Sequence, residues 1–121
     1  MANLQTSSNG VEQVTIDTAP AVGGYWTNAV RMRRGSEGDI EKMYFSVRES
    51  EESPSAASVV TPILQFKGLN DDGWTDYNNN GDAFVIGDAF VIDANALAVQ
   101  WRAGVKEGGY TSGSINLGFS W

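Results

Sequence analysis

The segment 76–81 has the residue types of a calcium-binding loop. The pattern D-x-[DN]-x-[DN]-G, whose alternate side-chain oxygens converge on a hard cation, is matched by Asp76, Asn78, Asn80 and Gly81. The match ends there, because the twelfth loop position is Gly87 rather than the glutamate that completes a calcium shell. Asp and Asn also favour surface turns, since they tolerate left-handed backbone and form local hydrogen bonds. We therefore predict a surface turn here and no metal site.

Carboxyl groups are the remaining candidates for catalysis, because the chain has no His and no Cys. Without those residues there is no Ser-His-Asp triad, no thiol nucleophile, no disulfide and no conventional zinc or haem site. Glycoside hydrolysis needs two carboxyl groups about 5 to 10 Å apart. The fifteen acidic residues supply many accidental pairs, and nothing in their spacing selects one. We predict no catalytic residue and no cofactor, so the protein is expected not to be an enzyme.

Three of the eight basic residues fall within four positions, at Arg31, Arg33 and Arg34. In a strand, Arg31 and Arg33 project from one face while Met32 points inward. Two guanidinium groups about 7 Å apart can bind acidic groups on a neighbouring protein subunit. The alternative is that these arginines only solubilise the domain, with the acidic loop 49–52 as an internal partner. If these arginines form an interface, its affinity should fall and its association should slow as the ionic strength rises.

Trp74 and Tyr77 are the aromatic residues that the sequence leaves open for a ligand or a partner. Both are flanked by Asp and Asn in a predicted loop. Trp26 and Trp101 instead share period-two faces with aliphatic residues, which predicts that both are buried. A flat aromatic face for stacking sugars would need such tryptophans at the surface, and it is kept as an alternative.

The net charge of −7 describes an acidic chain. An acidic surface repels phosphate backbones and anionic lipid, so we expect neither nucleic acid nor a membrane as a partner. The charge is distributed unevenly along the chain, since no Lys or Arg lies between Lys67 and Arg102. One explanation of this uneven distribution is that copies of the chain make contacts of complementary charge. No apolar run approaches the ~20 residues of a membrane-spanning helix. Residues 1–4 have no feature of a secretory signal, which predicts synthesis in the cytoplasm.

Period-two alternation of apolar residues predicts the elements that hold these side chains. Met43, Phe45 and Val47, for example, share one face of a predicted strand. Turns with glycine and proline separate such segments at fairly even spacing, and no long segment has helical apolar spacing. The pattern predicts an all-β protein, an antiparallel β-sandwich of the jelly-roll or immunoglobulin-like kind with about seven or eight strands. A small barrel is the alternative.

The length of 121 residues predicts a single domain. Residues 1–10 contain one large apolar side chain, Leu4, and cannot bury enough surface to offset the entropy lost on ordering. We predict a flexible N-terminal arm over 1–10, which matters for assembly more than for folding, and a β-sandwich domain over 11–121. The residues predicted to fill its core are Trp26, Phe45, Phe66, Trp101, Ile115, Leu117 and Phe119.

Local patterns add further predictions. Pro62 cannot donate to a ladder, so its strand should lie at an edge or carry a bulge. The hexamer GDAFVI at 81–86 is repeated without change at 87–92, which fits either a hairpin or a single bulged strand. The segment 106–110 has the composition of a hairpin connection between the strands on either side. The segment 93–99 is the nearest candidate for one turn of helix.

Four stretches in the second half of the chain form a recognisable combination. They are LQFKG at 64–68, WTDY at 74–77, VQWRAGVK at 99–106 and GYTSG at 109–113. Together they resemble small β-sandwich proteins that are encoded among the structural genes of tailed bacteriophages. The resemblance covers about half of the chain and includes no catalytic signature.

This resemblance implies a virion component, such as a capsid decoration (cement) protein or a head or tail accessory protein. The implied partners are other virion proteins, the major capsid protein first, and the implied location is the virion after synthesis in the host cytoplasm. Decoration proteins are commonly trimers, so a homo-oligomer is also implied. Two alternatives are a carbohydrate-binding or adaptor module of a phage tail fibre, and an assembly factor that is absent from the finished particle.

Overall fold

A computed structural model describes residues 10–33, 39–51, 54–68, 70–77, 84–94 and 99–121. Every secondary-structure element within these ranges is a β-strand, as the alternation predicts. The strands are β1 (Val11–Ile16), β2 (Tyr25–Trp26), β3 (Val30–Met32), β4 (Lys42–Glu49), β5 (Val59–Val60), β6 (Ile63–Gly68), β7 (Thr75–Tyr77), β8 (Ala89–Asp93), β9 (Val99–Val105), β10 (Tyr110–Ser112) and β11 (Ile115–Ser120). Five of these eleven strands have only two or three residues, which is why their number exceeds the predicted seven or eight.

The strands pair into two antiparallel sheets that pack against each other. One sheet has the order β1-β11-β4-β8, and the other has the order β2-β9-β6-β7 with β3 also paired to β9. β5 and β10 form a separate two-stranded ribbon. Both sheets contribute buried side chains to one core, since Phe45 and Leu117 come from the first sheet and Leu64 and Ala103 from the second. The predicted antiparallel β-sandwich is confirmed.

The pairing order is that of a jelly roll. Eight interrupted strands result when β2 is joined with β3, β5 with β6, and β10 with β11. The first of the eight then pairs with the last, the second with the seventh, the third with the sixth and the fourth with the fifth. Four nested antiparallel pairs arise when one long hairpin rolls up into two sheets. Of the two sandwich types expected, the chain therefore has the jelly roll.

The centre of the core is Phe45 on β4, which is fully buried. Its ring centroid lies 5.4 Å from that of Phe84, 5.5 Å from that of Phe90 and 5.8 Å from that of Phe119. Aromatic pairs at these separations add stability beyond the area that they bury. Phe119 and Phe90 are the partners of Phe45 on the neighbouring strands, so the cluster forms the first sheet's side of the core.

The predicted burial of Phe45, Ile115, Leu117 and Phe119 is confirmed. Phe66 and Trp101 also face the core side of their sheet, where they are opposite each other with ring centroids 5.7 Å apart. Both are only half-buried. Phe66 is opposite Thr75 on the edge strand β7, and both rings lie against Tyr77, which is itself 40% exposed.

Trp26 does not lie in the core, because an extra residue reverses the direction of its side chain. Trp26 pairs with Gly104 and Val30 pairs with Trp101, so four steps along the β2–β3 segment match three steps along β9. Side chains alternate between the faces of a sheet, and one extra residue therefore turns Trp26 away from the face that Val30 shares. The prediction that Trp26 is buried was wrong for this reason. Its indole is half-buried on the outer side of the sheet.

The two copies of the repeated hexamer adopt different structures. The second copy provides β8, which pairs with β4 and not with the first copy. In the first copy, Phe84 is buried and a turn follows in which the Asp88 N–H donates to the Val85 carbonyl at 3.1 Å. Residues 81–83 lie outside the described residues. The equivalent rings of Phe84 and Phe90 stack with centroids 5.8 Å apart, so the repeat places two phenylalanines in one core.

The turn at 106–110 changes sheets instead of closing a hairpin. The Gly109 N–H donates to the Lys106 carbonyl at 2.9 Å, yet the following strand β10 pairs with β5 and not with β9. β11 then lies in the opposite sheet, between β1 and β4. The predicted hairpin between β9 and β11 was wrong, because turn composition does not specify which sheet receives the next strand.

Pro62 interrupts its strand, as its missing N–H predicts. The residue is buried between β5, which belongs to the two-stranded ribbon, and β6, which belongs to a main sheet. Thr61 keeps one further bond to the turn, since its N–H donates to the Gly109 carbonyl at 2.8 Å. The proline therefore marks the corner at which the chain passes from the ribbon to the sheet.

Gly10 and Trp121 extend the pairing of β1 with β11. The Gly10 N–H donates to the Trp121 carbonyl at 2.8 Å, and the Trp121 N–H donates back to the Gly10 carbonyl at 2.9 Å. Gly10 thereby belongs to the ladder of the domain. The remaining predictions on this part of the chain, and several others, fall outside the described residues: the arm over 1–9, Arg34, the calcium-loop positions Asn78, Asn80 and Gly81, and the helical turn around 95–98.

Candidate functional site

Basic and aromatic side chains gather on the outer face of the sheet that contains β9. Directly opposite residues of neighbouring strands share a face, so the pairing of β9 with β2, β3 and β6 defines which residues lie there. We call this surface the cationic face. Its members are Trp26, Arg31, Gln65, Lys67, Trp74, Asp76, Gln100, Arg102 and Lys106.

Arg102, on the central strand β9, is the middle of the cationic face. Its guanidinium carbon lies 4.2 Å from the ring centroid of Trp26 and 4.5 Å from that of Trp74. Trp26 reaches it from β2 on one side of β9, and Trp74 reaches it from the start of β7 on the other side. The cation is therefore held between two indoles. Each such cation–π contact contributes roughly 0.5 to 2 kcal/mol.

A chain of side-chain hydrogen bonds fixes Arg102 from the side of β6. Arg102 Nε donates to Gln65 Oε1 at 2.8 Å, and Gln65 Nε2 donates to Asp76 Oδ1 at 2.8 Å. The second carboxylate oxygen of Asp76 accepts a hydrogen bond from Lys106 Nζ at 2.6 Å. Gln65 is only 6% exposed, so its amide is held in one orientation. Asp76 neutralises Lys106, whereas the hydrogen-bond partner of Arg102 among the described residues is a neutral amide.

Two charged groups of the cationic face, Asp76 and Arg102, have lowered pKa values with clear causes. The hydrogen bond from Lys106 and, after it, that from Gln65 lower the pKa of Asp76, against an opposite effect of burial. Burial lowers the pKa of Arg102, whose guanidinium nevertheless stays a cation at neutral pH. At neutral pH the carboxylate of Asp76 therefore acts as a fixed acceptor and not as a proton donor.

The position of Trp26 depends on two glycine features. Gly104 lies opposite Trp26, and a Cβ added there would come within 2.8 Å of Trp26 Cε3. The indole N–H donates to the carbonyl of Gly23 at 2.5 Å. Gly23 and Gly24 have φ angles of 94° and 83°, a backbone conformation that favours glycine. The turn before β2 and the bare position on β9 together hold the indole beside Arg102.

The cationic face differs in charge from the rest of the chain. Its described members include four of the eight basic residues and one of the fifteen acidic residues, which gives them a formal charge of +3. Since the net charge is −7, all other residues together sum to −10. At the rim, Asp71 directs its carboxylate back to the Gly68 N–H at 2.8 Å. Such a separation of charge orients a protein during its encounter with an acidic partner.

The structure places the predicted interface residues in different surroundings. Arg31 and Trp74 both belong to the cationic face. Met32 is buried while Arg31 and Arg33 are exposed, as the alternation predicts. Arg33 follows directly after β3, and Arg34 lies outside the described residues. Glu49, from the acidic loop named as an internal partner, bonds to Ser58 and not to an arginine.

Tyr77 lies on the opposite side of β7 from Asp76, over the open end of the core. Its ring centroid is 5.4 Å from that of Trp101, 6.4 Å from that of Phe84 and 6.3 Å from that of Phe90. The side chain is still 40% exposed. Trp74 and Tyr77 are thus divided between the cationic face and the core, and they do not form one aromatic surface.

The sequence reasoning missed the central residues of this face, Gln65, Arg102 and Lys106. A partial signal was present, because Arg102 on β9 and Lys106 directly after it alternate with apolar residues and must therefore leave the core face. The strands that lie beside β9 come from distant parts of the chain. Periodicity along one strand carries no information on those neighbours, so the grouping was not predictable from it.

A recess of about 350 Å³ lies at the end of β4, away from the cationic face. It is lined by Glu49, Glu51 and the segments 54–58 and 112–114. The carboxylate of Glu49 accepts hydrogen bonds from the Ser58 hydroxyl at 2.5 Å and from the Ser58 N–H at 2.9 Å, and these bonds lower its pKa. Because Ser58 engages both oxygens, Glu49 serves to anchor the segment before β5 to β4.

Within the described ranges, no three His, Cys, Asp or Glu side chains come together as a metal site requires. Asp76, the first residue of the calcium-loop pattern, already has both oxygens engaged by Gln65 and Lys106. The part of the chain that the structure describes contains no helix of the length and hydrophobicity needed to cross a bilayer.

Comparisons of the chain with protein-family models, with curated proteins and with solved structures found no match. The likeness to phage structural proteins therefore stays a prediction from four stretches of sequence. Two of these stretches, 64–68 and 99–106, form β6 and β9. These strands contribute the centre of the cationic face, so the resemblance and the candidate site fall on the same two strands.

Proposed function

We propose that the chain is a non-enzymatic structural protein of a tailed-phage virion, and that it is a capsid decoration protein that binds and stabilises the capsid lattice. The cationic face is the observation that carries this proposal. Four basic side chains and two indoles are gathered on one sheet of an otherwise acidic domain. An acidic lattice surface would attract this face and repel the remaining surface, and the protein would thereby bind in one orientation.

The composition and shape of the cationic face support a protein as its partner. Trp and Arg are enriched among the residues that dominate the energetics of protein–protein interfaces. The surface is one side of a sheet, whereas small ligands usually bind in concave sites. Jelly rolls also occur in viral capsid domains and in lectins, which supports the proposal as an analogy of fold only.

Arg31 is the member of the cationic face at its β3 edge, and Arg33 lies just beyond the end of that strand. Both are exposed, and neither forms an ion pair with another described residue. A single exposed ion pair is worth only about 0 to 1 kcal/mol. A homo-oligomer, which the resemblance implies is a trimer, would bind a repetitive lattice through several copies and gain avidity. Light scattering on the purified protein measures this oligomeric state.

Incorporation into particles tests the proposed function. Mass spectrometry should find the wild-type protein in purified virions of the phage that encodes it. A double variant, Arg31→Glu with Arg33→Glu, should be missing from the particles while its melting temperature stays within a few degrees of wild type. Lys42→Glu is the control for Arg31→Glu, because its side chain is 76% exposed and belongs to the other sheet. We expect that control to incorporate normally.

Two results would contradict this proposal at different points. Absence of the wild-type protein from purified virions, with the protein present in infected cells, would identify an assembly factor instead. Normal incorporation of the double variant would remove Arg31 and Arg33 from the interface and return them to a role in solubility.

A carbohydrate-binding or adaptor module of a tail fibre is the second candidate. The half-buried indole of Trp74, at the edge of a jelly-roll sheet, is the observation that favours it. Against it, the same ring already contacts the cations of Arg102 and Lys67. A glycan array with positive spots that disappear for Trp74→Ala would support this candidate over the decoration protein.

A further inference from the structure

The guanidinium of Arg102 is prepared for a ligand along one edge. Its carbon lies 4.2 Å and 4.5 Å from the ring centroids of Trp26 and Trp74, and its Nε is bonded to Gln65. The edge that remains carries the two terminal nitrogens. Among the described residues, no side chain forms an ion pair with them and no hydrogen-bond acceptor engages them. An arginine with such an edge can hold a carboxylate through two parallel hydrogen bonds.

We propose that Arg102 is the receptor for a carboxylate side chain from an acidic segment of the partner protein. The carboxylate approaches in the plane of the guanidinium, between the edges of the Trp26 and Trp74 indoles. This inference rests on the proposed function and names the chemistry that the partner must present to the cationic face.

No acidic residue that the structure describes supplies this carboxylate. Asp76 is the acidic member of the cationic face, and its two oxygens are engaged by Gln65 and Lys106. The neutral amide of Gln65 stands between Asp76 and Arg102. Burial also lowers the pKa of Arg102, which means that the cation has lost hydration without gaining an anionic neighbour. An incoming carboxylate would restore that lost stabilisation.

The fixed geometry of Arg102 favours binding. An exposed arginine loses rotational freedom when it forms a salt bridge, and this entropy loss offsets much of the gain. Arg102 has already lost that freedom, because two indoles and the buried amide of Gln65 hold its side chain. A carboxylate at this position therefore forms its bonds at a smaller entropic cost than at Arg31.

The spacing of the basic residues indicates an extended acidic segment. Gln100, two residues before Arg102 on β9, is opposite Arg31 on β3 and Lys67 on β6. Two residues along a strand span about 7 Å, which is also the distance between alternate side chains of an extended peptide. A segment with acidic residues at alternate positions can thus reach Arg102 with one carboxylate and, with the next, Arg31 or Lys67 on either side of Gln100.

An acidic protein segment fits this surface better than a phosphate polymer. The residues outside the cationic face sum to −10, and they repel a long polyanion that extends past the face. A short acidic segment carried by a folded partner places its charge on the face alone. Binding of a phosphate polymer is therefore the competing outcome in the experiment that tests the acidic segment.

Calorimetric titration of the full chain with synthetic peptides tests this site. The probe is an extended peptide of alternating Glu and Ala, and its control has Gln in place of Glu. We expect the Glu peptide to bind wild-type protein and the Gln peptide not to bind. Arg102→Gln should weaken binding about tenfold or more. Arg102→Lys should also weaken binding, because lysine keeps the charge but lacks the planar pair of donors.

Lys42→Gln is the matched control, since it changes the net charge by the same amount on the other sheet. We expect it to bind the Glu peptide as wild type does. Equal weakening by Lys42→Gln and Arg102→Gln would overturn the proposal, because it would show a response to total charge alone. Tighter binding of a short polyphosphate of equal charge would overturn the choice of a carboxylate.

Nuclear magnetic resonance of the wild-type protein gives a test that requires no variant. The indole N–H signals of Trp26 and Trp74 should shift when the Glu peptide is added, while that of Trp121 should stay in place. No shift, or no binding by wild type, would overturn the proposal without touching virion incorporation. Peptide binding by a protein that is absent from virions would instead reject the proposed function and keep the site at Arg102.

Discussion

Trp26 lies over Gly104, its partner in the pairing of β2 with β9, in space that a side chain at position 104 would fill. A Cβ added to Gly104 would lie 2.9 Å from the Cα of Trp26 and would collide with the carbonyl oxygen of Tyr25. Because position 104 has no side chain, the indole can approach β9 and reach Arg102, two residues away. The packing of a strand and the geometry of the cationic face therefore depend on one glycine.

Gly104→Ala should destabilise the domain by about 1 to 3 kcal/mol, since backbone and indole must both move to admit the methyl group. The free energy of unfolding, measured with urea, checks this value. Gly73→Ala is the control, because nothing lies within 4 Å of a Cβ added there. Its effect should stay within about 0.5 kcal/mol. Equal effects of the two substitutions would contradict the close approach of Trp26 to β9.

Phe45→Ala and Trp26→Ala should differ clearly in their cost. Phe45 is fully buried against three phenylalanine rings, so its truncation should cost about 3 to 5 kcal/mol. Trp26 is half-buried on the outer face, and its loss should cost about 1 to 2 kcal/mol. Urea unfolding of both variants measures the difference. If Trp26→Ala costs as much as Phe45→Ala, Trp26 is a core residue after all.

Alternation of apolar residues along single strands predicted much of this fold. It failed where one extra residue in a strand reversed the face to which the next side chains point. Met32 and Phe45 are buried as their positions in period-two segments predict. Trp26 is an even number of residues from Met32, so simple alternation places both on one face. The extra residue between β2 and β3 turns Trp26 to the other face. The sequence 27–29 contains no glycine or proline that would announce such a bulge.

The candidate site was predictable only where its residues are close in sequence. Arg31 and Arg33 drew attention because they stand together in the chain, and both are exposed as expected. Arg102 was not predicted as a site residue, since the two indoles that hold it come from β2 and from the start of β7. Pairings between distant strands decide such contacts, and a single sequence does not contain them in readable form.

Tyr110→Phe should destabilise the domain by about 1 kcal/mol, because a hydrogen bond between distant parts of the chain is lost without a change of shape. The Tyr110 hydroxyl lies 2.9 Å from the carbonyl oxygen of Asp17 and 2.7 Å from that of Gly113. It thereby links the end of β1 to the turn between β10 and β11. Thermal unfolding followed by circular dichroism measures the effect. Tyr25→Phe, at a side chain 37% exposed, is the control and should leave the melting temperature unchanged.

The stability of the domain should depend on pH through Asp76. Its pKa is lowered from the usual 3.8 in the folded state, by the hydrogen bonds from Lys106 and Gln65. The unfolded chain therefore takes up the proton at a higher pH than the folded chain does. The stability that ionised Asp76 contributes is fully present above the usual pKa. It is lost as the pH falls through that value toward the lowered pKa of the folded state.

Asp76→Asn removes this contribution, so its free energy of unfolding should fall less steeply than that of wild type between about pH 5 and about pH 2. Urea unfolding at several pH values in this range measures the slope. Asp93→Asn is the control, because its carboxylate is 60% exposed and lies 3.9 Å from Lys42 in a looser pair. That variant should keep the wild-type slope. A wild-type slope in Asp76→Asn would mean that the Gln65–Asp76–Lys106 chain of hydrogen bonds does not stabilise the folded state.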